Sequence, residues 1–212
     1  VWFGDHRALK QRNKLLKERA LSSLEPWTEK LTELGNSLTD KRKIFFDQTR
    51  DQFNSLVSSL NLEMEKVFIK DLTVEYYKGW DEELTLANSL DAERDTDIRR
   101  KVTTRGPHKA DIKIYIKGVD AKEILSRGEQ KLLAIIWLCS QHEVLRSTYN
   151  IKPTLLIDDV KSELDIETFN IYIALLKLIQ NQVIFSNIED QINSKIEAEL
   201  INIKKFHVEQ LS

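Results

Sequence analysis

The chain has 212 residues, 41% of them hydrophobic, and its 32 Lys and Arg nearly balance 34 Asp and Glu, for a net charge of -2. That supports one substantial core or two modest ones; it excludes a disordered composition and a bulk polybasic nucleic-acid binder, but not a local basic face. The single cysteine, Cys139, excludes a disulfide framework and a cysteine-based metal site and fits a reducing, cytoplasmic setting, and the longest apolar run, Leu132 to Cys139, is far shorter than the roughly 20 residues that span a bilayer.

The opening "VWFGDHRALK" has no basic start followed by an apolar block, so it does not read as a signal peptide. It also lacks an initiator Met and begins in mid-pattern, so a piece of a longer chain is expected. From His6 to Leu24 the absence of Pro and the spacing of Leu9, Leu16, Ala20 and Leu24 predict a helix, broken at Pro26. A second helix is predicted from Trp27 to Leu60, with Trp27, Leu31, Leu34, Leu38, Phe45, Phe53, Leu56 and Leu60 on one stripe. Two long helices joined by a tight turn suggest an antiparallel arm.

The pattern then changes. "DLTVEYYKGW" alternates Leu72, Val74 and Tyr76, a strand signal, and "ADIKIYIKG" alternates Ile112, Ile114 and Ile116, another. The charged stretch between them, "DEELTLANSLDAERDTDIRR", reads as helix. After "ILSRGEQKLLAIIWLCSQHEVLR", a helix too apolar for a surface, come a strand at Thr154 to Ile157, an acidic turn, a helix from Ile166 to about Ile179 and a short strand "QVIFS". "FHVEQ" suggests one more strand. Strand-helix-strand alternation from Lys109 onward predicts an α/β fold with a mainly parallel core sheet. The domain division expected is a helical arm over 1-100, its boundary lying between 62 and 105, and an α/β part over 101-212.

Three stretches carry candidate chemistry. In "TLLIDDVKSELD" an apolar run ends in Asp158 and Asp159; a buried strand aimed at two like charges implies a cation or proton between them. This is the Walker B pattern, in which Asp158 holds the magnesium shell and Asp159 orients or deprotonates the attacking water. The bland alternative is a helix cap followed by a solvated acid. In "LSRGEQ", Ser126 and Glu129 form an S-x-x-E capping box. That leaves Gly128 unexplained, since Gly in a first turn costs about 1 kcal/mol relative to Ala; close approach of a ligand phosphate to the helix N-terminus would explain it. In "HRALKQRNKLLKER", His6, Arg7, Lys10, Arg12, Lys14, Lys17 and Arg19 give one helix an excess of positive charge. It reads either as a solvated helix or as a salt-sensitive phosphate footprint. "RGPHKAD" marks a turn, with His108 and Lys109 in it, and "FSNIED" places Ser186 and Asn187 after a strand. The phosphate cradle G-x-x-x-x-G-K-[ST] that Walker B chemistry needs is missing: there are 6 glycines, none followed by Lys.

"LKQRNKLLK", "YYKGWDEEL", "GPHKADI", "LSRGEQKLL" and "TLLIDDVKSELD", in this order and at these distances, resemble the C-terminal part of the RecF family, bacterial recombination mediators with an ABC-type, SMC-like ATPase head. The resemblance covers nearly the whole chain. It implies a head closing as a pair around two ATP molecules, with the Walker A loop upstream of Val1. Ser126, Gly128 and Gln130 would contact the γ-phosphate held by the partner. Asp158 would bind the magnesium shell and Asp159, where many ABC proteins have Glu, would be catalytic. Ser162 and Asp165 would form the D-loop, and Ser186 or Asn187 falls at the switch position. Glu129 stands where the family often has Gln. The resemblance further implies slow ATP hydrolysis, ATP-dependent homodimerisation, binding of DNA at single-strand/double-strand junctions, with Lys10, Lys14 and Lys17 as candidate contacts, and action with RecR and RecO in loading RecA at gaps. Competing readings are a non-enzymatic interaction module and a metal-dependent nuclease built on Asp158, Asp159 and Glu163.

Overall fold

The computed structural model describes residues 1-60, 71-157, 166-179 and 182-185. They fall into two compact units, one made of Val1–Gln48 with Leu72–Gly118, the other of Thr49–Asp71 with Val119–Ser212.

In the first unit, α1 (Trp2–Glu18) buries Ala8, Arg12 and Leu16 along one face and ends at Arg19 in the left-handed conformation, whose N–H bonds to the Leu15 carbonyl. A 3-10 turn (Leu21–Ser23) leads into α2 (Leu24–Leu60). The expected break at Pro26 is therefore displaced. The helix ends at Glu18, and Pro26 sits in the first turn of α2, where its missing N–H would have no helical partner and its fixed φ suits the helix. Ala8, Leu31, Trp80, Leu86 and Leu90 form the core, with Leu9, Trp27 and Leu34 packed against it. Each such leucine, Leu31 being wholly buried, contributes roughly 1.5–3 kcal/mol.

The charged stretch expected as one helix is two, α3 (Leu86–Ala92) and α4 (Arg94–Arg100), meeting at Glu93. The Thr85 side chain caps α3 by accepting from the Asn88 N–H at 3.1 Å. Strands β1 (Leu72–Tyr77) and β2 (Asp111–Ile116) form where the alternation predicts and pair antiparallel, with Val74 opposite Ile114 and Tyr76 opposite Ile112.

The second unit holds the end of α2, β3 (Val119–Asp120), α5 (Ala121–Ile124), α6 (Arg127–Ser147), β4 (Leu155–Ile157), α7 (Ile166–Leu178) and β5 (Val183–Phe185). β4 and β5 are parallel, with Leu156 opposite Ile184, as the strand-helix-strand pattern predicts. α6 packs on α7, with Leu132, Ile136, Cys139, Leu155, Tyr172 and Leu175 buried. Phe53 of α2 lies against Trp137 at 5.6 Å between ring centroids. The "FHVEQ" strand lies outside the described residues. Among those described, no helix is long and apolar enough to cross a membrane.

Candidate nucleotide and nucleic-acid sites

Ser126, Gly128 and Gln130 share the first turn of α6. Ser126 is the N-cap, in extended conformation (φ -61°, ψ 161°). Its hydroxyl accepts from the Glu129 N–H at 3.4 Å, while the Glu129 carboxylate accepts from the Ser126 N–H at 2.9 Å and from its hydroxyl at 2.8 Å. The capping box is thus formed as its spacing predicts. Gln130 is turned back: its amide donates to the carbonyls of Leu125 at 2.9 Å and Lys122 at 3.4 Å, tying the preceding loop to the helix. Gly128 is half-buried in the first turn, not deep within the helix. The box leaves the N–H groups of Arg127 and Gly128 without a helical acceptor, and these, with the positive end of the helix dipole, suit an anion.

The acidic half of the expected site lies outside the described residues: Asp158, Asp159, Ser162 and Asp165, and likewise Ser186 and Asn187. β4 ends at Ile157 and β5 at Phe185, so Asp158 and Ser186 each directly follow the C-terminal end of a strand of a parallel pair. Among the described residues no cluster of His, Cys, Asp and Glu is suited to a metal ion.

The basic helix is only partly what its charge suggests. His6, Arg7, Lys10, Lys14, Lys17 and Arg19 are exposed, Lys14 loosely paired with Glu18 at 3.9 Å. Arg12 is 1% exposed and belongs to the interior. Its guanidinium donates to Asp97 and to the Thr103 hydroxyl, each at 2.7 Å, and to the Thr28 hydroxyl at 3.0 Å. The other Asp97 oxygen accepts from the Thr104 N–H at 2.8 Å and its hydroxyl at 2.7 Å. Asn13 accepts from both the N–H and the hydroxyl of Thr103, each at 2.7 Å. A buried ion pair is tolerable only with its remaining donors and acceptors satisfied, as here. Charge counting missed this network, yet a signal existed: Arg12 lies four residues from both Ala8 and Leu16, on the apolar face.

The "RGPHKAD" turn is part of the same unit. Gly106 (φ 134°) starts a 3-10 turn over Pro107–Lys109, Arg42 donates to the Pro107 carbonyl at 2.7 Å, and the His108 Nε2–H donates to the Thr103 carbonyl at 3.0 Å. His108 thus braces a turn, while Lys109 is exposed. In the first turn of α1, Asp5 is buried and its Oδ1 has no hydrogen-bond partner. Burial raises its pKa, partly opposed by the charges of Arg42 and His6.

No family model matches the chain. It is 33% identical over 211 residues to the DNA replication and repair protein RecF of Nitrosococcus oceani, covering 98% of this chain and 56% of that protein. It is 31% identical over 227 residues to RecF of Hahella chejuensis, covering 99% and 57%. A solved structure of the recombination mediator RecF with ATP, in the RecFOR pathway, superposes with a TM-score of 0.69 at 26% identity, covering 89% of this chain and 52% of that one. The chain spans a little over half the length of the curated relatives it matches, and its helices and parallel strands correspond to part of that RecF structure. The likeness runs through nearly all of the sequence, and the chain belongs to the RecF family.

Proposed function

We propose that the protein acts in DNA replication and recombinational repair as an ATP-dependent DNA-binding ATPase, closing as a homodimer at single-strand/double-strand junctions and working with RecR and RecO to load RecA at gaps in the cytoplasm. The observation that carries the reading is the Ser126 turn, a capped helix start with two uncommitted amides, in a chain whose relatives are named for DNA replication and repair and one of whose structural counterparts is described with ATP.

In this reading bound ATP with magnesium would supply a phosphate anion for the Ser126 helix start of a second copy to recognise. Ser126 turns its hydroxyl from Glu129 toward the γ-phosphate of the partner's nucleotide, and the amides at Arg127 and Gly128 face the same anion. Gln130 is proposed as a contact to that phosphate, its amide releasing the longer bond to Lys122 while the bond to Leu125 holds the loop at the helix start. Asp158 is proposed to hold magnesium, Asp159 to act as the catalytic carboxylate, Ser162 and Asp165 to line the dimer seam, and Ser186 or Asn187 to sense the phosphate. Nucleotide binding thereby selects the closed pair, which presents the DNA surface, and hydrolysis releases it. Lys10, Lys14 and Lys17 contribute phosphate contacts.

The test is binding of a fluorescent gapped duplex by the intact protein with and without ATP. Tighter binding with ATP is expected. Binding indifferent to nucleotide would favour the interaction module, and cutting of the duplex by metal alone would favour the nuclease.

A further inference from the structure

The basic stripe on α1 does not end on α1. Arg7, Lys10, Lys14 and Lys17 recur at helical spacing over about 15 Å, and Lys10 and Lys17 flank Asn13 by three and four residues, the spacing of surface neighbours. Asn13 is itself fastened to the backbone and hydroxyl of Thr103. The turn leading to Thr103 leaves α4 through Arg100 and Lys101, both exposed. Arg100 is the last residue of α4, next to Lys101 in the chain.

Lys101 follows α4 as Arg19 follows α1. It caps α4 in the left-handed conformation (φ 57°), where a non-glycine residue costs roughly 1–2 kcal/mol and glycine is the usual choice. A cation near a helix C-terminus is favourable by about 0.3–1 kcal/mol, which accounts for Arg99 and Arg100 but does not fully offset that strain. Among the described residues Arg7, Lys10, Lys17, Arg100 and Lys101 have no acidic partner.

We infer that Arg100 and Lys101 extend the α1 stripe into a single phosphate-binding surface, tied to α1 by the Asn13–Thr103 bonds, and that its ligand is the sugar-phosphate backbone of nucleic acid, contacted without regard to sequence. This rests on the DNA-binding reading and names a part of its surface that the charge of α1 alone does not indicate.

The test is the salt dependence of duplex DNA binding by the intact protein, between 50 and 200 mM salt, a range over which such contacts separate clearly. Arg100→Ala with Lys101→Ala should reduce the slope of log affinity against log salt by about 1.8, at 0.9 per phosphate contact. Lys101→Gly should reduce it by about 0.9 while keeping or raising the urea midpoint, because glycine relieves the left-handed strain; a purely structural role for Lys101 would not separate the two readouts. If Lys10→Ala with Lys17→Ala reduces the slope but the Arg100 and Lys101 variants leave it unchanged, the extension is overturned and the α1 reading stands. If wild-type protein shows no salt-dependent DNA binding, both fall.

Discussion

Asp97→Ala is the sharpest test of how the first unit is held together. Asp97 is wholly buried and its Oδ2 lies 2.7 Å from the equally buried Arg12, while its Oδ1 receives the N–H and hydroxyl of Thr104. Removing the carboxylate strands a buried guanidinium with only hydroxyl partners and leaves two Thr104 donors unpaired. Breaking one side of such a pair costs about 3–5 kcal/mol. With a urea slope of about 2 kcal/mol per molar, the midpoint should fall by roughly 1.5–2.5 M. Tryptophan fluorescence during urea unfolding reads this out, since Trp27 and Trp80 belong to the same core. The double replacement Arg12→Met with Asp97→Leu removes both desolvation costs and should recover most of the loss. A single-variant loss below about 1 kcal/mol, or a double variant as unstable as the single one, would refute the assignment of this pair as a buried, mutually dependent unit.

Backbone geometry predicts a contrast between two glycines. At Gly79 (φ +105°) a Cβ would stand 2.1 Å from the Gly106 carbonyl oxygen, whereas at Gly118 (φ +81°) it would meet nothing within 4 Å. Gly79→Ala should therefore be poorly folded, and Gly118→Ala should cost only the strain of roughly 1–2 kcal/mol; equal losses in thermal melts would contradict this. For Asp5, burial raises the folded pKa above the ordinary carboxyl value, so its contribution is present below the unfolded pKa and is lost as pH rises through the folded one. Asp5→Asn should accordingly flatten the decline in stability above about pH 4 and be neutral or stabilising at pH 7; a clear loss at pH 7 argues against it. Cys139 is fully buried with its thiol pushed up to about 12, so alkylation should be slow in native protein and fast in urea. Fast native labelling would show that α6 is not packed as described.

Much of the architecture is legible in the residues. The alternating Ile112, Ile114 and Ile116 form the predicted strand, and the apolar run before Asp158 and the "QVIFS" segment pair as parallel strands. Ser126 and Glu129 announce their capping box by spacing alone. What was not legible has physical causes. Proline stops a helix only where an N–H is needed, so Pro26 in the first turn of α2 marks a start and not an end. Glu93 (φ -93°, ψ 5°) divides α3 from α4 without Gly or Pro to mark it. Arg12 is marked by its place between Ala8 and Leu16 on the apolar face, but its partner Asp97, distant in sequence, is not. Local propensity carries no information about that meeting.

The most direct measurement for the whole account is sedimentation velocity of the intact protein with and without ATP, wild type against Ser126→Arg. A guanidinium side chain at the helix start would block close approach of a partner's phosphate while leaving α6 short of only one cap, a loss of about 0.5–2 kcal/mol. Wild type should form an ATP-dependent dimer, and the variant should remain a monomer under all conditions. A variant that dimerises with ATP as readily as wild type would contradict this.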